Sequence, residues 1–252
     1  MPPVRPYYAD LSAVYYDQVT ALDTSLSGDV EIYASLAQPG SHLLEVGAGT
    51  GRLTLALAER GFFVTGVDIA PTMLERARAK LESVDADVAK RVAFVRGDMT
   101  ALAVEGRFSA ALFPFFTLAH VPRGAAWRNV FGRLAPRLED GALAAFHMPR
   151  VEALRAPPPP PGQAVMTVSL DAGRRLELYI RERRGRDDIG RYDQVVEYVV
   201  VGPAGRRERS SLERLTFFAG DPTPFAEAAG FVRDREPIPL GDPGEIHVFR
   251  KS

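Results

Sequence analysis

The chain has 252 residues, 46% hydrophobic and 25% charged, which suits one large globular domain or one domain carrying a sizeable insertion. A formal net charge of −1 excludes a generally basic, electrostatically driven nucleic-acid binder, and zero cysteines exclude a disulfide framework, a thiolate zinc site and a cysteine nucleophile. No run approaches the roughly 18 apolar residues of a membrane-spanning helix. The N-terminal MPPVRPYYAD lacks the apolar centre of a secretory signal, and the four histidines are too widely spaced for a local metal motif. A cytoplasmic enzyme or binding protein without nucleic-acid or membrane partners is expected, and a homodimer is compatible with that expectation.

From His42 to about His147 short apolar runs alternate with amphipathic stretches, the pattern of βαβ units on a parallel sheet. His42 to Val46 reads as a buried strand ending at Gly47, and Leu53 to Arg60 as a helix stopped by Gly61. Phe62 to Asp68 reads as a second strand. Pro71 stands in the first turn of the next helix, with Leu74, Ala77, Arg78 and Leu81 at helical spacing. Val92 to Val95 and Ala110 to Phe113 are the third and fourth strands. A helix over Ala125 to Leu138 should end or kink at Pro136, and Leu143 to His147 is the fifth strand.

After Met148 the texture changes. The proline run from Pro157 to Pro161 belongs in neither helix nor central strand. Val165 to Leu170, Leu176 to Arg183, Gln194 to Val201 and Ser211 to Phe218 read as four antiparallel strands punctuated by glycines. Thr223 to Ala229 is a short helix, and Ile246 to Phe249 a closing strand. The expected fold class is therefore α/β: a Rossmann-like, mostly parallel sheet flanked by helices, with a small antiparallel β insertion after strand five. The expected division is 1–150 for N-terminal lid helices and a nucleotide-binding core, 151–218 for the insertion capping an acceptor site, and 219–252 for the helix and strand completing the core sheet.

In Leu44-Glu45-Val46-Gly47-Ala48-Gly49-Thr50-Gly51 a buried strand runs into three glycines at alternate positions, with a helix directly after. Glycine permits positive φ and lets a ligand approach the backbone. The G-x-G-x-G spacing differs from the G-x-G-x-x-G of dinucleotide folds, and Glu45 suits an ammonium-bearing ligand better than a pyrophosphate. Asp68 ends the second strand where such folds place an acid for ribose hydroxyls. Gly97-Asp98-Met99 follows the third strand, and Phe113-Pro114-Phe115-Phe116-Thr117-Leu118 leaves the fourth. All lie at carboxyl ends of consecutive strands, where open α/β sheets bind ligands.

Together with Gly66-Val67-Asp68-Ile69 and the Phe113 to His120 run, these motifs resemble the class I S-adenosylmethionine-dependent methyltransferases. The opening Tyr8 to Asp17 is similar to the helix pair that folds over the cofactor in that family. The antiparallel insertion resembles the branch that includes glycine N-methyltransferase and the amino-sugar N-methyltransferases. The resemblance implies S-adenosyl-L-methionine as cofactor. It implies Gly47, Ala48, Gly49 and Gly51 beneath its methionyl part, Glu45 near its ammonium, and Asp68 on the ribose. Ile69 and Met73 would lie against adenine or ribose, Asp98 and Met99 would hold adenine, Phe113 would stand next to the sulfonium, and Tyr16 would close over the carboxylate.

For methyl transfer the protein mainly has to align acceptor, methyl and sulfur and to exclude water. His120 is the candidate catalytic residue, as base or orienting group; Tyr7, Tyr8, Phe116, His120 and His147 are candidates for the acceptor site. His42 and His247 fall inside strands and read as structural. Residues 109–119 contain no carboxylate, so no metal-dependent mechanism is expected, and the Asn/Asp-Pro-Pro-Tyr/Phe of amide and adenine methyltransferases is missing. The reading is metal-independent methylation of a small molecule, nitrogen preferred to oxygen, with a place in secondary metabolism. The alternatives are a nicotinamide-dependent oxidoreductase and a non-catalytic protein that binds the same cofactor.

Overall fold

A computed structural model describes residues 3–6, 8 and 10–252. In chain order it begins with β1 (Val4–Pro6), α1 (Leu11–Val14), α2 (Tyr16–Ala21) and α3 (Asp29–Ala34). Then come β2 (His42–Val46), α4 (Arg52–Glu59), β3 (Phe63–Asp68), α5 (Pro71–Leu81), α6 (Ala86–Ala89) and β4 (Val92–Arg96). β5 (Phe108–Phe113), α7 (Ala125–Leu134), β6 (Leu138–Pro149) and α8 (Val151–Arg155) follow. The strands β7 (Met166–Ser169), β8 (Arg175–Arg186), β9 (Arg191–Val201) and β10 (Arg207–Phe218) precede α9 (Thr223–Ala228). β11 (Phe231–Arg233), β12 (Ile238–Leu240) and β13 (Gly244–Lys251) end the chain. No helix among the described residues is long and apolar enough to cross a membrane.

The chain divides into two compact units, one of residues 25–150 and 220–252, the other of residues 1–24 and 151–219. In the first, the sheet order is β11-β13-β6-β5-β2-β3-β4, with β12 paired to β13. β2 to β6 pair in parallel, while β13 runs antiparallel to β6. The chain moves outward from β2 through β3 to β4, then returns to the other side of β2 with β5. The sheet order thus reverses between β2 and β5, and a crevice outside the strand ends at such a switch is where open α/β sheets bind ligands.

Strand alternation decides what each face buries. Leu43, Leu112, Leu143, Val248 and Ile246 pack with Leu53 and Leu57 of α4 and Tyr33 of α3 into one apolar cluster. Phe146 and Phe249 meet Phe131 of α7. Trp127 is fully buried in α7 and donates its indole N–H to the Val121 carbonyl at 3.0 Å. Pro136 ends this α-helix as expected: Ala135–Arg137 tightens into a 3₁₀ turn.

The second unit is a five-stranded sheet ordered β1-β10-β9-β8-β7. β7 to β10 pair antiparallel, and β1 pairs parallel with β10. The N-terminal segment differs here from the expected grouping with residues 25–150. Leu11 is fully buried among Val168, Leu176, Leu178, Val196, Tyr198 and Val200, with Tyr15 and Val19 packed against the same cluster. The Ser12 backbone N–H donates to Glu213 at 3.0 Å, and Asp10 pairs with Arg5 at 3.0 Å and Arg209 at 2.5 Å. The apolar face of α1 and α2 is thus spent on the antiparallel sheet, a pairing that helical periodicity alone does not specify.

Candidate functional site

The glycine turn after β2 is held by its own backbone. Gly47, Gly49 and Gly51 take φ of +79°, +54° and +79°, conformations that favour glycine. The N–H groups of Gly47 and Ala48 donate to the Val67 carbonyl at 2.7 and 3.0 Å, and Gly51 N–H donates to Ala48 O at 2.9 Å. A Cβ at Gly47 would run into the Thr117 side chain, so the turn lies directly against the loop leaving β5.

Asp68, at the end of β3, clasps this turn. One carboxylate oxygen accepts from Gly49 N–H and the other from Ala70 N–H, both at 2.8 Å. Burial raises its pKa, with those amides working in the opposite direction. Ile69 beside it is an apolar side chain 61% exposed, while Met73 is buried in α5. Asp98 caps the short turn after β4, accepting from Thr100 N–H and Oγ1 at 2.8 Å each. Asp98 is exposed, and Met99 is half-buried.

Glu45 is 1% exposed. Burial pushes its carboxyl up to about 8, against a hydrogen bond from Thr54 and the positive charge of Arg52. Arg52 is itself gripped by both oxygens of buried Asp29. The Tyr33 hydroxyl is buried without a hydrogen-bond partner among the described residues. Asp29, Tyr33, Arg52 and Thr54 were not among the residues singled out in the sequence. Only Arg52, directly after the glycine turn, carried a local signal.

The loop after β5 is strained: Phe115 and Phe116 take φ of +47° and +63°, and Thr117 Oγ1 bonds back to Pro114 O at 2.5 Å. Phe116 packs on His147 with ring centroids 4.3 Å apart. His147, at the end of β6, is fully buried, with neither ring nitrogen hydrogen-bonded among the described residues. Burial pulls its pKa down to about 4, so the imidazole is neutral. His120 ends a 3₁₀ turn, Thr117–His120, and is half-buried.

Phe113, expected beside the sulfonium, ends β5 with its ring packed inward. Phe113 is fully buried and stacks on Phe146 at 4.4 Å, because strand alternation turns it into the α7-side core. In the second unit, Tyr8 and Tyr16 meet edge to face at 5.7 Å, and Tyr7 lies outside the described residues. His42 Nε2 lies 2.9 Å from Thr65 Oγ1, and His247 lies 3.0 Å from Glu245; both are tied into the sheet.

Residues 43–141, which hold the turn, Glu45, Asp68, Asp98 and the β5 loop, match the family model described as a methyltransferase domain. Residues 43–141 of the α/β unit thus carry the pattern of a methyltransferase domain. A putative methyltransferase of Geobacillus sp. is 32% identical over 109 residues, 43% of this chain and 42% of that relative. The match therefore spans less than half of the relative's length. Among solved structures, the CcbJ methyltransferase from Streptomyces caelestis superposes with a TM-score of 0.76 at 20% identity, over 98% of each chain. SAM-bound CalS10, an amino pentose methyltransferase from Micromonospora echinaspora, gives 0.68 at 20% identity over 99% of this chain and 100% of that one. At such identities the likeness is one of fold. In this chain the glycine turn, Asp68, Asp98 and the loop from Pro114 to His120 stand at the ends of β2, β3, β4 and β5 in that order.

Proposed function

We propose that the chain moves the methyl group of S-adenosylmethionine to a nitrogen of a small molecule, oxygen being the alternative acceptor, without a metal ion. The observation that carries this reading is the Gly47–Gly51 turn clasped by Asp68 beside buried Glu45, at the point where the strand order reverses. The residues fit the cofactor: a buried carboxyl whose neighbouring cation, Arg52, is paired with Asp29 suits an ammonium, an acid at a strand end suits ribose hydroxyls, and exposed Ile69 suits an adenine face.

The bound cofactor supplies a methyl group on a sulfonium, a good leaving group. The chain supplies placement. Gly47, Ala48, Gly49 and Gly51 allow close approach of the methionyl part, Asp68 orients the ribose, and Met73, Asp98 and Met99 bound the adenine. Phe116 and His147 bound the acceptor end, and the neutral imidazole of His147 is suited to accept a hydrogen bond. Phe113 acts through packing. The roles that the resemblance gives Tyr16 at the cofactor and Tyr7 and Tyr8 at the acceptor stand as proposals, as does acceptor selection by residues 151–218. A nitrogen acceptor is supported by the likeness to an amino pentose methyltransferase described in calicheamicin biosynthesis, which also supports a place in secondary metabolism. Metal independence is supported by the carboxylate-free segment 109–119.

Calorimetry with S-adenosylmethionine and with NADH is the first test, and tight binding of NADH alone would overturn the reading. Methyl transfer into panels of amines and alcohols, read by mass spectrometry, assigns the acceptor atom. If His120 orients the acceptor or takes its proton, His120→Ala lowers turnover by about 10²- to 10⁴-fold and leaves S-adenosylhomocysteine affinity unchanged. Full activity in that variant would make His120 structural.

A further inference from the structure

Three elements besides β2 supply the polar surroundings of Glu45: Asp29 and Tyr33 from α3, Arg52 and Thr54 from α4, and Asp68 from the end of β3. Arg52 is the cation whose charge acts on Glu45 among the described residues, and both oxygens of Asp29 hold it. Asp29 and Asp68 each disfavour a negative charge on Glu45. The guanidinium that favours an ionised Glu45 is thus held by Asp29, and the carboxyl groups of Asp29 and Asp68 oppose that ionisation. Tyr33 is buried on the same side of the sheet and its hydroxyl has no hydrogen-bond partner among the described residues, so the cluster does not satisfy its own polar groups. Ionising Glu45 here would bury an anion whose nearest cation is already committed, which is strongly unfavourable.

We propose that Glu45 carries a proton while no ligand is bound and exchanges it for the α-ammonium group of an aminoacyl thionucleoside. By that exchange the site selects S-adenosyl ligands over 5′-thionucleosides that lack the ammonium. This rests on the S-adenosylmethionine reading above. In the exchange the Glu45 O–H bond breaks, its electron pair stays on the carboxylate, and the proton passes to solvent; the ammonium keeps its own protons. The cation arriving with the ligand then balances the third carboxylate. The carboxyl's rise to about 8 agrees with this arrangement. His147, pulled down to about 4, is neutral across the range tested and contributes no proton.

The test is calorimetric titration of the full chain with S-adenosylhomocysteine at about pH 7 in buffers of different ionisation enthalpy, where close to one proton should be released per ligand bound. Affinity should rise nearly tenfold per pH unit between about pH 5.5 and 7 and level off near pH 8. 5′-Methylthioadenosine, which lacks the ammonium, should bind more weakly and release no proton. Glu45→Gln should bind S-adenosylhomocysteine with no proton release and no pH dependence in that range. Asp68→Asn should weaken binding yet keep the release, because the proton does not come from Asp68. Binding of S-adenosylhomocysteine without proton release, or equal release with 5′-methylthioadenosine, would overturn the exchange and leave the cofactor reading standing. Unchanged release in Glu45→Gln would do the same. Failure of both nucleosides to bind would overturn the cofactor reading and the exchange with it.

Discussion

Each unit holds one glutamate that is 1% exposed or less, and these two are treated in opposite ways. Glu213, in the antiparallel sheet, is fully buried and accepts from Ser12 N–H at 3.0 Å, Ser211 Oγ at 2.8 Å and Ser12 Oγ. Its donors come from α1 and from its own strand, so the carboxylate ties the N-terminal helix to the sheet. Glu45, in the α/β unit, has one hydroxyl donor among the described residues, and the guanidinium that acts on it, Arg52, is held by Asp29. A buried carboxylate whose donors lie within the chain is a structural rivet. One whose donors are incomplete is a receptor, stable as the neutral acid until something positive arrives. Asp68 stands between the two, held by two backbone amides but open enough to meet a ligand.

The largest effect expected from this contrast is on stability against pH. Glu45 titrates near its ordinary 4.5 in the unfolded chain and near 8 in the folded one. Between those values the folded state binds a proton that the unfolded state does not. The stabilisation is therefore complete below about 4.5, declines as pH rises toward 8, and is gone above it, a loss on the order of 5 kcal/mol in ligand-free protein. His147 works the other way, adding stability as pH rises from about 4 to 6.5, because the folded state holds it neutral. Denaturant unfolding of wild type and Glu45→Gln across pH 5 to about 9 isolates the Glu45 contribution. A pH-independent difference between the two would break the contrast.

Next in size is Glu213→Ala, which leaves three buried donors without their acceptor and should cost roughly 3 kcal/mol. The loss should appear as faster hydrogen exchange in β9 and β10, the strands held around it. Asp68→Ala should weaken S-adenosylhomocysteine binding by about 1.5–3 kcal/mol through loss of charge-assisted hydrogen bonds. An unchanged dissociation constant in the folded variant would remove Asp68 from the site and leave Glu213 and Glu45 as the only contrast.

What could be read in advance follows from the range of each signal. The βαβ alternation, the glycine turn and the strand-end position of Asp68 are local patterns, and the expected strands appear within a few residues of their positions, although β6, β8, β10 and β13 run longer and the short β1, β11 and β12 were not expected. The environment of Glu45 is not local: Asp29 meets Arg52 across 23 residues, and both reach Glu45 only because α3 and α4 pack on the same side of β2. The destination of α1 and α2 was equally hidden. An aromatic face at helical spacing states that a helix is buried but not against which sheet, and Leu11, Ser12 and Tyr15 are committed to the antiparallel one. The packing of Phe113 on Phe146 joins two strands, β5 and β6, that α7 separates in the sequence, and was not legible from the local pattern either.

The smallest expected effect is the most discriminating. At about pH 5, Glu45 in the ligand-free protein is a neutral acid, and glutamine has nearly the same shape and a carbonyl that can still accept from Thr54. Glu45→Gln should therefore change stability by less than about 1 kcal/mol at that pH. The same substitution at Glu213 does not have this latitude. One Glu213 oxygen accepts from Ser12 N–H and Ser211 Oγ, and the other accepts from Ser12 Oγ, which itself accepts from Tyr8 N–H at 2.8 Å. An amide NH₂ can take only one of these places, and there it faces a hydroxyl already oriented as a donor. Glu213→Gln should cost about 1–2 kcal/mol more than Glu45→Gln, measured by urea unfolding at the same pH. Equal costs would mean that the two glutamates are held alike, and that the donors around Glu213 do not distinguish a rivet from a receptor.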